Sequence, residues 1–112
     1  MKFKDKIVDG IGILSLKGKL MGIPETDELH TEIKSMLGQN IKKIILDLHG
    51  VTWMNSLGIG SIMRCLTTVR NAGGDIALAR MSEKTRNVFM ITQLVSVFKI
   101  HKTIEDALET IK

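Results

Sequence analysis

The apolar residues of the chain follow two patterns, one typical of strands and one typical of helices. Short apolar runs such as Ile44-Ile45-Leu46 predict covered strands, whereas apolar residues three and four positions apart predict helices. Asp9-Gly10 predicts a hairpin at the start, because it supplies the positive φ values of a two-residue turn between apolar strands. The later strands are predicted at about 11–16, 41–48, 76–79 and 97–100, with residues 49–54 as a loop. The helices are predicted to start at Pro24, Asn55-Ser56, Ser82 and Thr103.

The predicted order of elements is β-β-α-β-α-β-α-β-α. Strand-helix-strand repeats impose parallel pairing with right-handed crossovers, and the opening hairpin adds one antiparallel pair. No repeat, linker or low-complexity segment interrupts the pattern. We therefore predict one α/β domain over residues 1–112, with a mixed, mostly parallel sheet, an N-terminal β-hairpin and about four helices.

Composition limits the cellular location and the classes of partner that we expect for this domain. A chain of 112 residues can bury one hydrophobic core without disulfides or a structural metal. Its single Cys excludes an internal disulfide framework. No apolar run approaches the roughly 20 residues that span a bilayer, and no signal peptide is recognisable. We therefore expect a cytoplasmic protein that does not insert into membranes. The net charge of +4 is spread along the chain, with few aromatic residues, so we expect no direct contact with nucleic acid.

Residues able to do chemistry are few and scattered. His30, His49 and His101 lack the spacing of metal ligands, and Cys65 flanks an apolar stripe, which predicts a buried thiol. Asp47 is expected to cap the loop after its strand through backbone amides. No phosphate-binding glycine loop or serine-hydrolase elbow is complete. We therefore expect neither an enzyme nor a bound cofactor or metal.

Ser56 stands out by its position. It begins a helix at the carboxyl edge of the sheet, where α/β proteins place functional groups. Asn and Ser are also preferred helix N-caps, so capping and a functional role both remain open. Gly58 and Gly60 weaken the first turn by about 1 kcal/mol each relative to Ala. Close approach of another chain would compensate for this cost.

The segment from Ile44 to Gly60 resembles the signature of a known family. A strand ending in Asp-Leu leads through an aromatic-hydrophobic pair into Asn55-Ser56-Leu57-Gly58-Ile59-Gly60. This pattern is similar to that of bacterial anti-sigma factor antagonists, the STAS-domain proteins. The likeness extends over essentially the whole chain, through Gly18-Lys19-Leu20, Asn71-Ala72-Gly73-Gly74, Met81-Ser82, Val88-Phe89 and Leu94-Val95.

The resemblance implies a regulatory switch. Such proteins bind an anti-sigma factor that is also a serine kinase, and so release a sigma factor. The kinase phosphorylates the first serine of the motif, here Ser56, and a PP2C-type phosphatase reverses the modification. ATP belongs to the kinase, so this chain needs no cofactor. The resemblance places partner binding at the motif and the preceding loop: Met21, Asn55, Ser56, Leu57, Gly58 and Ile59. Ile59 fits a core position better than a contact position.

Two positions depart from the family pattern. Asn55 stands where the family usually has Asp, and Met21 stands where many relatives have an acid. Partner binding without phosphorylation is therefore an open alternative. A second alternative is a regulatory STAS subunit of a membrane transport complex, such as an ABC-type lipid transporter, in which Ser56 would only cap and contact.

Overall fold

A computed structural model describes residues 1–91 and 96–112. Within these residues the chain forms five strands and four helices in the predicted order. The strands are β1 (Lys2–Val8), β2 (Ile11–Leu20), β3 (Lys43–Met54), β4 (Asp75–Ala79) and β5 (Lys99–His101). The helices are α1 (Glu25–Gly38), α2 (Ser56–Asn71), α3 (Glu83–Ile91) and α4 (Ile104–Ile111). Leu94-Val95, part of the family resemblance, lies outside the described residues.

The strands form one mixed sheet in the order β1-β2-β3-β4-β5. β1 pairs with β2 in antiparallel orientation, and the other neighbours are parallel. The turn between β1 and β2 uses Asp9 at φ 53° and Gly10 at φ 78°. These positive φ values are those expected of a two-residue hairpin turn. The predicted fold class is confirmed.

The prediction of a loop over residues 49–54 is wrong. These residues continue β3, because β2 itself runs on past its predicted end to Leu20 and pairs with them. Two register shifts interrupt this pairing, and Gly18 accommodates one of them with a φ of 127°. The last strand is also displaced from 97–100 to Lys99–His101. The long β2-β3 pair carries the chain to the start of α2.

Helices cover the two faces of the sheet unequally. The larger apolar cluster joins one face to α1, α2 and α3, through residues such as Ile33, Ile62 and Phe89. A smaller cluster on the other face contains Ala107 and Ile111 of the short helix α4. Each large aliphatic side chain buried in this way contributes about 1.5–3 kcal/mol. Much of the second face, over β1 and β2, is left to polar and charged side chains.

The predicted caps of the last two helices are confirmed. The hydroxyl of Ser82 accepts a hydrogen bond from the Thr85 amide at 3.2 Å, and the Thr103 hydroxyl accepts one from the Asp106 amide at 3.0 Å. α1 starts one residue after Pro24. None of the helices formed by residues 1–91 and 96–112 combines the length and apolar character needed to cross a bilayer.

Candidate functional site

Helix α2 begins where β3 leaves the sheet, and Asn55 is its N-cap. The side-chain Oδ1 of Asn55 accepts a hydrogen bond from the Gly58 amide at 3.0 Å. Its Nδ2 donates to the backbone carbonyl of Met21, also at 3.0 Å. The two residues that depart from the family pattern are therefore in contact with each other. The amide of Asn55 ties the loop before α1 to the start of α2.

Ser56 is the first helical residue and is exposed. Of the two roles left open for Ser56, helix capping belongs to Asn55 instead. The Ser56 hydroxyl makes no hydrogen bond to any described residue. It lies at the positive end of the α2 dipole, where backbone amides lack helical acceptors. This arrangement leaves the hydroxyl accessible without giving it a structural task.

The two glycines of the first turn have different surroundings. Gly58 is buried, and a Cβ added there would collide with the Leu20 carbonyl oxygen and lie 2.8 Å from Cγ of Met54. The chain that closely approaches Gly58 is therefore the protein's own β2, rather than a second chain as expected. Gly60 is exposed, and beyond its own helical turn no atom of the described residues lies within 4 Å of an added Cβ. Gly60 keeps the surface beside Ser56 open.

Exposed apolar side chains lie on the two segments that meet at Ser56, which are the loop before α1 and the first turn of α2. Met21, Ile23 and Leu57 are 41%, 79% and 64% exposed, and with Ser56 they form what we call the Ser56 surface. Ile23 was missed by sequence reasoning, although an apolar residue before Pro24 in a short loop is the signal that could have found it. Large apolar residues grouped in this way on a surface mark interaction sites.

The predicted partner-binding residues divide between surface and interior. Met21, Ser56 and Leu57 are exposed, and Asn55 is half-buried between the two loops. Ile59 is only 4% exposed and belongs to the large core cluster, which agrees with the alternative of a core role. Gly58 is also buried. Ile59 and Gly58 therefore pack inside the protein beneath the exposed residues of the site.

A groove of about 430 Å³ runs beside Ser56 between the starts of α1 and α2. Its lining includes Ser56, Leu57, Gly60, Asp27 and Arg64. Arg64 and Asp27 form an ion pair at 3.9 Å, but both side chains are more than 60% exposed. Such exposed pairs contribute little to stability, so both groups remain available to a partner.

The comparisons with known proteins agree with this geometry. The family model of the STAS domain matches residues 2–107. The chain belongs to the STAS-domain family. A Thermotoga maritima relative named "Putative anti-sigma factor antagonist" is 31% identical over 111 residues, which cover 98% of this chain and 97% of that protein. The crystal structure of a "putative anti-sigma factor antagonist" from Thermotoga maritima, 31% identical, superposes on this STAS domain with a TM-score of 0.88, covering 97% and 93% of the two chains.

More distant structures share the fold alone. The anti-sigma factor antagonist SpoIIAA in its unphosphorylated form is 20% identical, with a TM-score of 0.80 over 98% of this chain and 96% of that one. SpoIIAA from Bacillus is also known in a phosphorylated form, which matches with a TM-score of 0.74 and 20% identity over 99% and 100% of the chains. The murine anion transporter Slc26a9 matches 95% of this chain but only 18% of its own length, at 18% identity and a TM-score of 0.78.

The other candidate residues of this STAS domain, Asp47, Cys65 and His30, are buried or make hydrogen bonds within the fold. The Asp47 carboxylate accepts a hydrogen bond from the His49 amide at 3.2 Å, as predicted, although the segment it caps is a strand. Cys65 is buried, and burial raises the pKa of its thiol to about 12. His30 bonds the Thr68 hydroxyl at 3.0 Å, and burial, followed by the positive charge of Arg64, lowers the pKa of its imidazole. Residues 1–91 and 96–112 contain no His, Cys, Asp and Glu group suited to a metal ion.

Proposed function

We propose that this STAS domain is an anti-sigma factor antagonist whose Ser56 surface binds an anti-sigma factor that is also a serine kinase. The observation that carries the proposal is an exposed serine hydroxyl at the first position of α2, with the exposed side chains of Met21, Ile23 and Leu57 on the adjoining loop and first turn. The hydroxyl provides a point of modification, and the apolar side chains provide area for a partner to bury. The names of the relatives support the same role.

Phosphorylation of Ser56 would leave the fold intact. A phosphate adds about −1.5 to −2 charge at neutral pH. At the start of a helix this charge interacts favourably with the dipole and free amides, by about 0.3–1 kcal/mol when exposed. The N-cap hydrogen bond comes from Asn55, so modification of the neighbouring hydroxyl does not remove it. The modified protein should therefore remain folded.

The same phosphate would disrupt a closed interface. Against a partner that offers no cation, the added charge must be desolvated at a cost of several kcal/mol. Because 1.4 kcal/mol corresponds to a factor of ten in affinity, binding should weaken by about a hundredfold or more. Asp27 lines the same groove and would lie on the same side of the interface as the phosphate. Phosphorylation thus controls binding without controlling folding.

The proposed cycle includes two enzymes. The anti-sigma factor binds ATP and transfers its γ-phosphoryl group to the Ser56 hydroxyl, which releases ADP and a proton. A PP2C-type phosphatase then hydrolyses the phosphoserine to serine and inorganic phosphate. The antagonist itself contributes only a surface and a hydroxyl, so the cycle requires no cofactor from this chain. Both enzymes act on this protein, which regulates a sigma factor through the anti-sigma factor. Because a bacterial sigma factor works in the cytoplasm, the proposal places this protein there too.

The test uses the cognate anti-sigma kinase with ATP, and mass spectrometry locates the phosphate. We expect modification at Ser56 and none after Ser56→Ala, with Ser35→Ala as the matched control because Ser35 is an exposed helical serine outside this site. Binding should be lost in Ser56→Asp and retained in Ser56→Ala. Binding that is equal in both variants would overturn the switch. Co-purification with a transporter ATPase, rather than with the kinase, would favour the transport alternative.

A further inference from the structure

A second concave surface lies on the sheet away from the Ser56 surface. Lys4 of β1, Ser15 of β2 and Asp47 of β3 are neighbours in register across the strands. Together with Lys17 and Arg80 they line a groove of about 450 Å³, which we call the basic groove. It shares no lining residue with the groove beside Ser56. Of these pairs, β2-β3 is parallel, and parallel strands are usually covered on both faces, whereas this part of the pair is open.

Positive charge predominates in the basic groove. It is lined by Lys2, Lys4, Lys17 and Arg80, and Asp47 is the only acidic residue among the described residues of its lining. Asp47 is only 8% exposed, and its carboxylate accepts hydrogen bonds from the Ser15 hydroxyl at 3.1 Å and the His49 amide at 3.2 Å. Its acceptors are therefore largely used within the protein. Asp47 does not cancel the attraction of the groove for an anion.

Arg80 is held in place by the same carboxylate. Its Nη1 donates to Oδ2 of Asp47 at 3.5 Å, while the side chain remains 39% exposed. A guanidinium has five N–H donors in a planar fork, so most of them remain for a ligand oxygen. The backbone of Arg80 has a φ of 59°, which a non-glycine residue adopts at a free-energy cost. The guanidinium thus makes one contact with Asp47 beside an open groove and keeps its other donors for a ligand.

Protection of an edge strand does not account for this charge. Lysines on β1 are expected there, because cations on an edge strand oppose pairing with another sheet. Lys17, however, lies on β2, which is paired on both sides, and Arg80 directly follows β4 in the interior of the sheet. Edge protection therefore accounts for neither of these two cations.

We propose that the basic groove binds a small organic anion with an apolar body. The groove has the size of a small-molecule site. Its lining residues are mainly charged or polar, with Phe3 and Leu16 as the large apolar ones, and the aliphatic stems of its lysines add apolar area. A second depression of about 260 Å³ shares Lys4, Ser15, Asp47 and Arg80 with it and extends to Ile104 at the start of α4. The anionic group would bind Arg80 and Lys17, and the apolar body would lie along the sheet. This site is independent of the proposed role of Ser56.

Phenyl phosphate is the probe for the test, followed by amide chemical shifts in two-dimensional ¹H–¹⁵N NMR spectra. We expect saturable shifts at the amides of Lys4, Ser15, Asp47 and Arg80. Arg80→Gln should weaken binding about tenfold or more, since it removes a charged hydrogen-bond donor. Lys17→Gln should weaken binding severalfold without touching Asp47, which keeps the test valid if Arg80→Gln unfolds.

The matched control is Lys34→Gln, which removes one exposed positive charge on α1, outside the groove. It should bind phenyl phosphate like the unaltered protein. Phenol, which lacks the charge, should produce no saturable shifts at these amides. The proposal is overturned if phenyl phosphate gives no saturable shifts up to about 10 mM, a limit corresponding to negligible affinity. Equal weakening by Lys34→Gln, or equal binding of phenol, would also overturn it.

Discussion

The two glycines of the first α2 turn should respond in opposite ways to the same substitution. In Gly58→Ala the new methyl group would collide with the Leu20 carbonyl oxygen and with Cγ of Met54. The Leu20 oxygen belongs to the backbone of β2 and cannot rotate away, so β2 and α2 must separate. In Gly60→Ala the methyl group meets no atom within 4 Å from the rest of the described chain beyond its own helical turn.

The expected magnitudes follow from these contacts. Overpacking costs about 1–3 kcal/mol and occasionally more, and a clash with backbone lies at the upper end. Helix propensity returns up to about 1 kcal/mol when Gly becomes Ala. Gly58→Ala should therefore lower the free energy of unfolding by about 2 kcal/mol. Gly60→Ala should raise it by about 0.5–1 kcal/mol, because only the propensity gain applies.

Urea denaturation and calorimetry measure both effects. At about 4 °C per kcal/mol for a domain of this length, Tm should fall by about 8 °C in Gly58→Ala and rise by a few degrees in Gly60→Ala. Equal Tm values for the two variants would refute the account of Gly58 as the contact between α2 and β2. Gly60→Ala, although folded, should also bind the anti-sigma factor more weakly, because its methyl group enters the groove beside Ser56.

Three further outcomes test the surroundings of the site. Asn55→Ala should lower the free energy of unfolding by about 1–2 kcal/mol in urea, because it removes the α2 cap, and Asn55→Asp should cost less. The thiol of Cys65, with its pKa raised to about 12, should resist iodoacetamide at mildly alkaline pH and react once urea unfolds the chain. The pKa of His30 is lowered in the fold, so its contribution to stability is present above the unfolded value of 6.5 and is lost as pH falls through the folded value. Acidification should therefore lower the urea midpoint of the unaltered protein more than that of His30→Gln. The glutamine of this variant can still bond Thr68.

Local signals in the sequence predicted most of the fold. Asp9-Gly10 predicted the hairpin because it satisfies a local φ requirement, and Ser82 and Thr103 predicted helix starts because each hydroxyl bonds an amide three residues on. The extension of β3 through residues 49–54 was missed because it depends on pairing with β2, distant in sequence. Gly18 and Gly50, which normally indicate turns, lie within that pair.

The candidate site was predictable to a similar extent. The motif predicted the position of Ser56, but the apolar surface around it depends on how the loop at Ile23 lies against α2. The role of Gly58 was assigned to a partner because the carbonyl of Leu20 approaches it only after β2 has paired along its whole length. The basic groove had no sequence signal, since strands distant in sequence bring Arg80 to Asp47.

The most direct test compares the affinity of the anti-sigma factor for two forms of this protein by titration calorimetry: unmodified, and stoichiometrically phosphorylated at Ser56. Both forms should give the same circular dichroism spectrum and nearly the same Tm. The phosphorylated form should bind about a hundredfold or more weakly. Equal affinities of two folded forms would contradict the claim that the charge at the start of α2 controls partner binding.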